Sequence, residues 1–454
     1  MKKTLLLSVA LGLASAATLS AATVEVFLTG STAFRANAYV AATKLYVGGT
    51  PTIYYGDAAH GGANSGFSSS TASWVMTGTP ITQLTNISGN TLVIHGLFTG
   101  SIQGIQTVEQ SVPLVFAAPA GTVNGLCSSY VTNTPTVAFS DASGDVTPFK
   151  ATGNYVEEPV AVLPFIYCKA NSMGVMTNVN NISWEQATYG IPQGRIPLSA
   201  WTTKISDTNT FVYMAQRTKD SGTRRTETAC QYFQYNDPVT VYIWDSTNKF
   251  WFAPTTLAAN ALGTFPNGVV GPAGLNGVNV SANWGYGYVG GGDLRAALND
   301  INVTNSSIGF ISFSDGKTCG SSNWATMVSF NGMWPTVDGG AQRGKGGTGN
   351  SGTNDFSPIT LGYYPLWSQL ALVHPVDTSL IADSKITTFQ LGDYVTPGSF
   401  MGVFNAQTLI NGGSPLTGSI ENEIELSKAN GATAIRLSEM KSNRSSVGAT
   451  ITPF

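Results

Sequence analysis

Charge is scarce in this chain. Lys, Arg, Asp and Glu together make up 10% of its 454 residues, as 22 basic and 25 acidic side chains. Such a sequence lacks the basic stripe or patch that nucleic-acid binding requires, and nucleic acid is excluded as a partner. Histidine is scarcer still: His60, His95 and His374 are the three, widely spaced, which leaves no H-E-x-x-H. A G-x-S-x-G nucleophile elbow is also missing, so the common zinc-hydrolase and α/β-hydrolase signatures are both absent. The four cysteines, Cys127, Cys168, Cys230 and Cys319, show no C-x-x-C spacing. Zinc sites usually pair their ligands locally, so no metal or other cofactor is expected. After the first 22 residues no stretch approaches the roughly 20 uninterrupted apolar residues of a membrane span.

What is present begins with Lys2 and Lys3, the apolar run 5–13 and the small-residue tract ending Ser20-Ala21-Ala22. This is the pattern of a secretory signal peptide cleaved after Ala22. With Cys127 the first cysteine, no residue near that cleavage point could take a lipid. The expectation is a soluble exported monomer, periplasmic in a cell with two membranes, and not a lipoprotein. Without residues 1–22, 20 basic side chains face 25 acidic ones, and 432 residues remain, ample for two or three domains. Export permits disulfides, and the spacing selects none of the three possible full pairings.

Strand-like and helix-like segments alternate. Residues 24–28 read as a strand, followed by the turn Thr29-Gly30-Ser31-Thr32-Ala33-Phe34-Arg35 and a helical stretch to Tyr46. Residues 91–96 read as a second strand, followed by the Gly100-Ser101 turn and a helix over 106–110. A short strand at 137–139 ends at Ser140-Asp141-Ala142. Prolines bracket an apolar run at 158–167, which suits a strand crossing between lobes, and 364–373 reads as a second crossing. Residues 211–215 form a strand feeding Arg217-Thr218-Lys219-Asp220-Ser221-Gly222-Thr223. Helices are expected over 182–187, 293–298 and 420–428, and a buried strand over 307–313. The Gly/Ser/Asn/Thr-rich segments 59–90 and 245–285 are expected to be surface loops, and 314–360 reads as loop-rich.

Each polar turn falls at the C-terminal end of a strand, where open α/β sheets place ligands. R-x-x-x-S-G-T has the makings of an anion cradle: glycine between two hydroxyls aligns backbone N–H groups at a helix start, and arginine adds a fork. Every piece also has an ordinary reading. Asp141 could cap its own turn, Gly30-Ser31-Thr32 could cap a helix, Ser101 could sit in a loop, and Arg217 could be a solvated surface residue. Arg35, Arg224 and Arg225 lie beside the cradle, and Trp324 and Trp334 leave a carbohydrate platform open.

Taken together, G-S-T-A-F-R at 30–35, G-S-I-Q-G-I at 100–105, F-S-D-A at 139–142, P-V-A-V-L-P-F at 159–165, R-T-K-D-S-G-T at 217–223, S-I-G-F-I at 307–311 and Y-P-L at 364–366 resemble the phosphate-binding proteins of bacterial ABC importers. The resemblance implies a two-lobed α/β periplasmic-binding-protein fold, type II-like, with two crossover strands and the ligand in the interlobe cleft. It divides the chain into lobe I, residues 23–160 plus 366–454, and lobe II, residues 161–365. It further implies that inorganic phosphate is held by Thr32, Ala33, Phe34, Ser101, Asp141, Arg217, Ser221, Gly222 and Thr223, that there is no catalysis, and that an ABC permease is the partner. Two positions depart from the family's pattern. Ala33 stands where a threonine is usual, and Lys219 where an acidic residue usually restrains the arginine. The alternatives are a secreted serine hydrolase or phosphatase with Ser221 as nucleophile, and a structural surface protein.

Overall fold

In a computed structural model of the protein, the residues described are 21–57, 60, 71–149, 153–170, 175–177, 179–219, 221–245, 250–252, 269–270, 287–288, 290–299, 306–317, 319, 325–337, 355–381, 384–405, 420, 434–444 and 451–453. Strand β1 (Thr23–Gly30) is followed by helix α1 (Arg35–Lys44), strand β2 (Ser73–Gly78) and strand β3 (Thr91–Leu97). Helix α2 (Ser101–Glu109) then leads to β4 (Val137–Ser140) and the 16-residue strand β5 (Tyr155–Ala170). After these come helix α3 (Trp184–Gln193), β6 (Phe211–Ala215), α4 (Gly222–Cys230) and α5 (Gly291–Asn299). Strand β7 (Ser307–Ser312), the short helix α6 (Phe313–Gly316), β8 (Ala325–Phe330) and β9 (Trp367–Pro375) follow.

These strands belong to one mixed 13-stranded sheet, in the order Arg195–Pro197, β6, β7, β5, β9, β4, β1, β3, β2, Thr52–Tyr55, Gly125–Leu126, with β8 and Asn181–Ile182 branching from β5. Parallel pairing joins β1 to β3 and β4 in one half, and β6 to β7 in the other. Parallel strands covered by helices on both faces read as continuous apolar runs, and β1 is buried over its last five residues, as β7 is throughout. The fold is therefore mixed α/β.

The chain passes from one half to the other on β5 and returns on β9. Along its first ten residues β5 pairs antiparallel with β9, and along its last residues with β7 and β8. Val160 to Cys168 are buried, with Phe165 stacked on Phe310 and the Tyr364 hydroxyl donating to the Phe165 carbonyl at 2.8 Å. Each such buried aliphatic or aromatic side chain contributes about 1.5–3 kcal/mol, so the two passages sit in the core.

Several expectations shift. The helices expected from 106 and 182 begin instead at Ser101 and Trp184, the latter with a Ser183–Gln186 capping box. Segment 59–90 is no mere surface loop. Trp74, Val75 and Met76 form the buried middle of β2, a short apolar triplet hidden among polar neighbours. Segment 314–360 likewise contains β8, where Thr326-Met327-Val328 pairs with β5. Within 245–285 only Asp245, Phe250–Phe252 and Val269–Val270 are described, each in a short strand. The leader at 1–20 and the helix expected at 420–428, apart from Ile420, lie outside the described residues. No helix among the described residues is long and apolar enough to cross a membrane.

Candidate functional site

The ends of three strands are sewn together at one point. Gly30, at φ +106°, closes β1 so tightly that a Cβ there would fall on the carbonyl of Phe139 in β4, a place only glycine can occupy. Ser31 N–H donates to that carbonyl at 2.8 Å, and Gly100 N–H donates to the Gly30 carbonyl at 2.9 Å. Gly104 of α2 lies against Gly30, which brings the N-terminus of α2, at Ser101, onto the turn after β4.

That turn carries Asp141, and three elements hold it. Ser101 Oγ donates to its Oδ1, and the Asp141 N–H donates back to Ser101 Oγ at 3.3 Å. Thr226 Oγ1, from α4, donates to its carbonyl at 3.1 Å, and Ser368 Oγ from β9 donates to the same carbonyl. Thr223 Oγ1 lies 3.5 Å from Oδ2. Asp141 is buried, and this burial pushes its carboxyl above the usual carboxylate range against the opposing pull of Ser101, Arg217, its own N–H and Thr223.

From the other half comes α4, Gly-Thr-Arg-Arg-Thr-Glu-Thr-Ala-Cys, which is polar along most of its length and buried at every residue. Polar helices ordinarily lie on surfaces. Here the arginines find acceptors: Arg224 Nη1 donates to the Arg217 carbonyl at 3.1 Å, and Arg225 to the Val146 and Phe233 carbonyls. Ser221 caps the helix, its Oγ accepting from Arg224 N–H. Gly222 follows with no room to spare: an added Cβ would fall on Asp141 Oδ1 and lie 2.6 Å from Ser101 Oγ.

Arg217, 2% exposed, is clamped along its length. Its Nε donates to the Tyr288 carbonyl at 3.0 Å, Nη1 to Thr223 Oγ1 at 3.3 Å, and Nη2 to Thr32 Oγ1 at 3.2 Å. The last bond joins the turn after β1 to the segment after β6, 185 residues apart.

The structure thus brings Thr32, Ser101, Asp141, Arg217, Ser221, Gly222 and Thr223 into one hydrogen-bonded cluster. Ala33 and Phe34 stand at its margin. The Phe34 ring is core, 5.4 Å from Phe139, and its N–H reaches the Ser31 carbonyl at 3.4 Å. Lys219 turns away, with Nζ 3.0 Å from Asn236 Oδ1 and 4.4 Å above the Tyr235 ring. The two cavities flanking Glu157 and Glu158, about 380 and 700 Å³, share no residue with this cluster.

Sequence reasoning missed the acids around Arg217. Asp293, held by Gly290 N–H at 2.9 Å, lies in the field of both Arg217 and Arg35. Burial nonetheless raises its carboxyl above the ordinary range. Asp315 accepts from Ser312 Oγ at 3.0 Å, meets Arg295 at 3.6 Å, and attracts Arg35, whose guanidinium burial lowers. These carboxylates arrive from α5 and α6, at least 76 positions from Arg217, and no local spacing marks them. For Ser221 as a nucleophile, no base stands beside it among the described residues. His60 pairs with Asp57, His95 with Glu25 and His374 with Glu158.

No family model matches this chain, and no curated protein sequence matches it. Solved structures that this chain matches include a candidate phosphate ABC transporter substrate-binding protein from Clostridium perfringens, with phosphate bound. It is 11% identical with a TM-score of 0.43, covering 91% of this chain and 99% of that one. An ABC-type phosphate transport receptor from Vibrio cholerae is 14% identical with a TM-score of 0.37 over 78% and 87% of the two chains. A phosphate-binding protein from Stenotrophomonas maltophilia is 13% identical with a TM-score of 0.31 over 78% and 79%. At these identities and scores the likeness lends no weight to any choice of ligand, which rests on the side chains.

Proposed function

We propose that this chain is a solute-binding protein that holds inorganic phosphate between two lobes, 23–160 plus 366–454 and 161–365, and delivers it to an ABC permease. The observation that carries the reading is α4, a buried polar helix whose capped N-terminus meets Asp141, Ser101 and Arg217. Burying so many polar groups is costly unless something satisfies them. A helix start offers free N–H groups and the positive end of its dipole, and Arg217 and Thr32 add side-chain donors around it, while Ser101 and Thr223 hold Asp141. Such a set suits a small tetrahedral oxyanion stripped of water.

Asp141 supplies the selectivity. Phosphate at neutral pH still carries a proton, which can lie between one of its oxygens and the Asp141 carboxyl. Sulfate has no proton to share, so an ionised Asp141 would repel it, and an unpaired buried polar group of this kind supports discrimination of roughly 10⁴-fold. Asp293 and Asp315 take the place of the missing local acid beside Arg217, offsetting its charge and Arg35's and keeping both forks fixed.

Titration calorimetry with phosphate, arsenate, sulfate and molybdate tests this. One equivalent of phosphate should bind, with arsenate similar and sulfate far weaker at pH 8. Arg217→Lys and Asp141→Asn should each lower phosphate affinity by about 10–150-fold, the loss of one hydrogen bond to a charged group. Unchanged affinity in both variants would remove the site. Release of product from a chromogenic phosphate ester would instead revive the hydrolase.

A further inference from the structure

Two of the four cysteines lie together beneath the candidate site. Cys168 is buried in β5, between its partners Gly309 of β7 and Met327 of β8. Helix α6 packs on the same strand. Its last residue, Gly316, is so close that an added Cβ would stand 3.5 Å from Cys168 Sγ and 2.6 Å from the Ile166 side chain. Cys319 N–H donates to the Gly316 carbonyl at 3.0 Å, one tight turn further on, which swings Cys319 back onto β5. Cys319, 6% exposed, thus follows within one turn the glycine that abuts the Cys168 thiol, and in this structure both thiols are free. The other two cysteines are elsewhere: Cys230 contacts Arg444 and the Pro365 carbonyl, and Cys127 lies at the sheet edge near Tyr130.

We propose that Cys168 and Cys319 form a disulfide when the chain folds in an oxidising compartment, tying α6 and its Asp315 to β5. The oxidant is a disulfide, either a small molecule or a protein oxidase. Cys319, the more exposed thiol, attacks it as the thiolate and releases the first oxidant thiol, leaving a mixed disulfide. Cys168 then attacks the Cys319 sulfur and releases the second. Both cysteine protons are lost, the two electrons reduce the oxidant to two thiols, and one S–S bond forms in the protein. Burial raises the Cys168 thiol well above its ordinary range, with Cys319 adding to the effect. The bond therefore closes during folding and not by later oxidation of the finished core. Of the three full pairings open to four cysteines, this contact selects one pair and leaves Cys127 and Cys230 free.

The export half of this inference rests on the leader reading, so the test has an arm that does not. The full chain is denatured, reduced, refolded in a glutathione redox buffer, alkylated in denaturant and digested with trypsin without reduction. A second sample is exported into the periplasm of an expression host and treated identically. In both, peptide 151–169 should appear joined to peptide 318–343, and each should separate on reduction. A Cys127→Ser/Cys230→Ser variant should keep that species, and Cys168→Ser/Cys319→Ser should lose it. Reduction should lower the melting temperature by several degrees, since the bond closes a loop of about 150 residues. Alkylation of both Cys168 and Cys319 in the oxidised samples, or a different linked pair, overturns the proposal. A joined peptide from refolding but not from export would overturn the leader reading alone, and phosphate binding is not involved in either outcome.

Discussion

The sharpest perturbation is one methyl group at Gly222. Alanine is the better helix former by about 1 kcal/mol, and at the first residue of a helix it ordinarily stabilises. At Gly222 the new Cβ falls on Asp141 Oδ1, 2.7 Å from Asp141 Cγ and 2.6 Å from Ser101 Oγ. Neither neighbour can step aside easily. Asp141 is held by Thr226, Ser368 and Ser101, and Ser101 is buried at the start of α2. Overpacking of this kind costs about 1–3 kcal/mol, and parting Ser101 from a carboxylate adds about 1.5–3 kcal/mol. After the propensity gain, Gly222→Ala should destabilise by about 1.5–5 kcal/mol and weaken phosphate by more than 100-fold. The control is Gly292→Ala in α5, where nothing lies within 4 Å of the added atom. It should be neutral or stabilising by up to about 1 kcal/mol. Urea melts and phosphate calorimetry on both variants decide the matter. If Gly222→Ala matches Gly292→Ala in stability and binds phosphate within threefold of the parent, the cluster does not have the tight packing that the reading requires.

Three further outcomes are expected. The Glu227 carboxyl, buried in α4, is pushed up to about 7 from its ordinary 4.5. The folded state then binds more protons than the unfolded one between those values, so stability falls as pH rises from about 4.5 to 7, by about 3 kcal/mol. Glu227→Gln should flatten that slope in urea melts, and an unchanged slope would contradict the assignment. Because Asp141 is also raised, lowering the pH should protonate it and let it donate to sulfate. Competition calorimetry at pH 8 and pH 5 should show phosphate-over-sulfate preference shrinking on the acid side; a preference that grows would refute its role. Asp315→Asn should leave Arg35 and Arg217 less compensated and lower phosphate affinity less than Arg217→Lys does, measured by the same titrations.

The candidate site was legible where its chemistry is local. Gly30-Ser31-Thr32 and Ser221-Gly222-Thr223 announce strand ends and helix starts by residue type alone, and Asp141 falls in the turn after a recognisable strand. The direction of Lys219 is not legible, because spacing cannot say which side of a turn a side chain leaves by; Asn236 and Tyr235, both downstream, decide it. Asp293, Asp315 and the Tyr288 carbonyl were out of reach for a different reason. They approach Arg217 through strand pairing and helix packing across more than 70 residues, and neither leaves a mark in a window of ten. β2 was missed because three apolar residues amid glycine and serine look like loop until the sheet supplies their partners.

The compensation of Arg217 and Arg35 by Asp293 and Asp315 has a kinetic side. Positive charge reaching out of a cleft can speed the arrival of an anion by 10- to 1,000-fold, and salt then slows it. With acids set against the arginines, and a chain only 10% charged with a slight excess of acid, little positive field extends into solvent to draw phosphate in. Encounter should proceed by unassisted diffusion and stay almost constant between 20 and 500 mM salt in stopped-flow measurements. Affinity would then be expressed in slow departure, with the buried polar helix holding what chance collision brings.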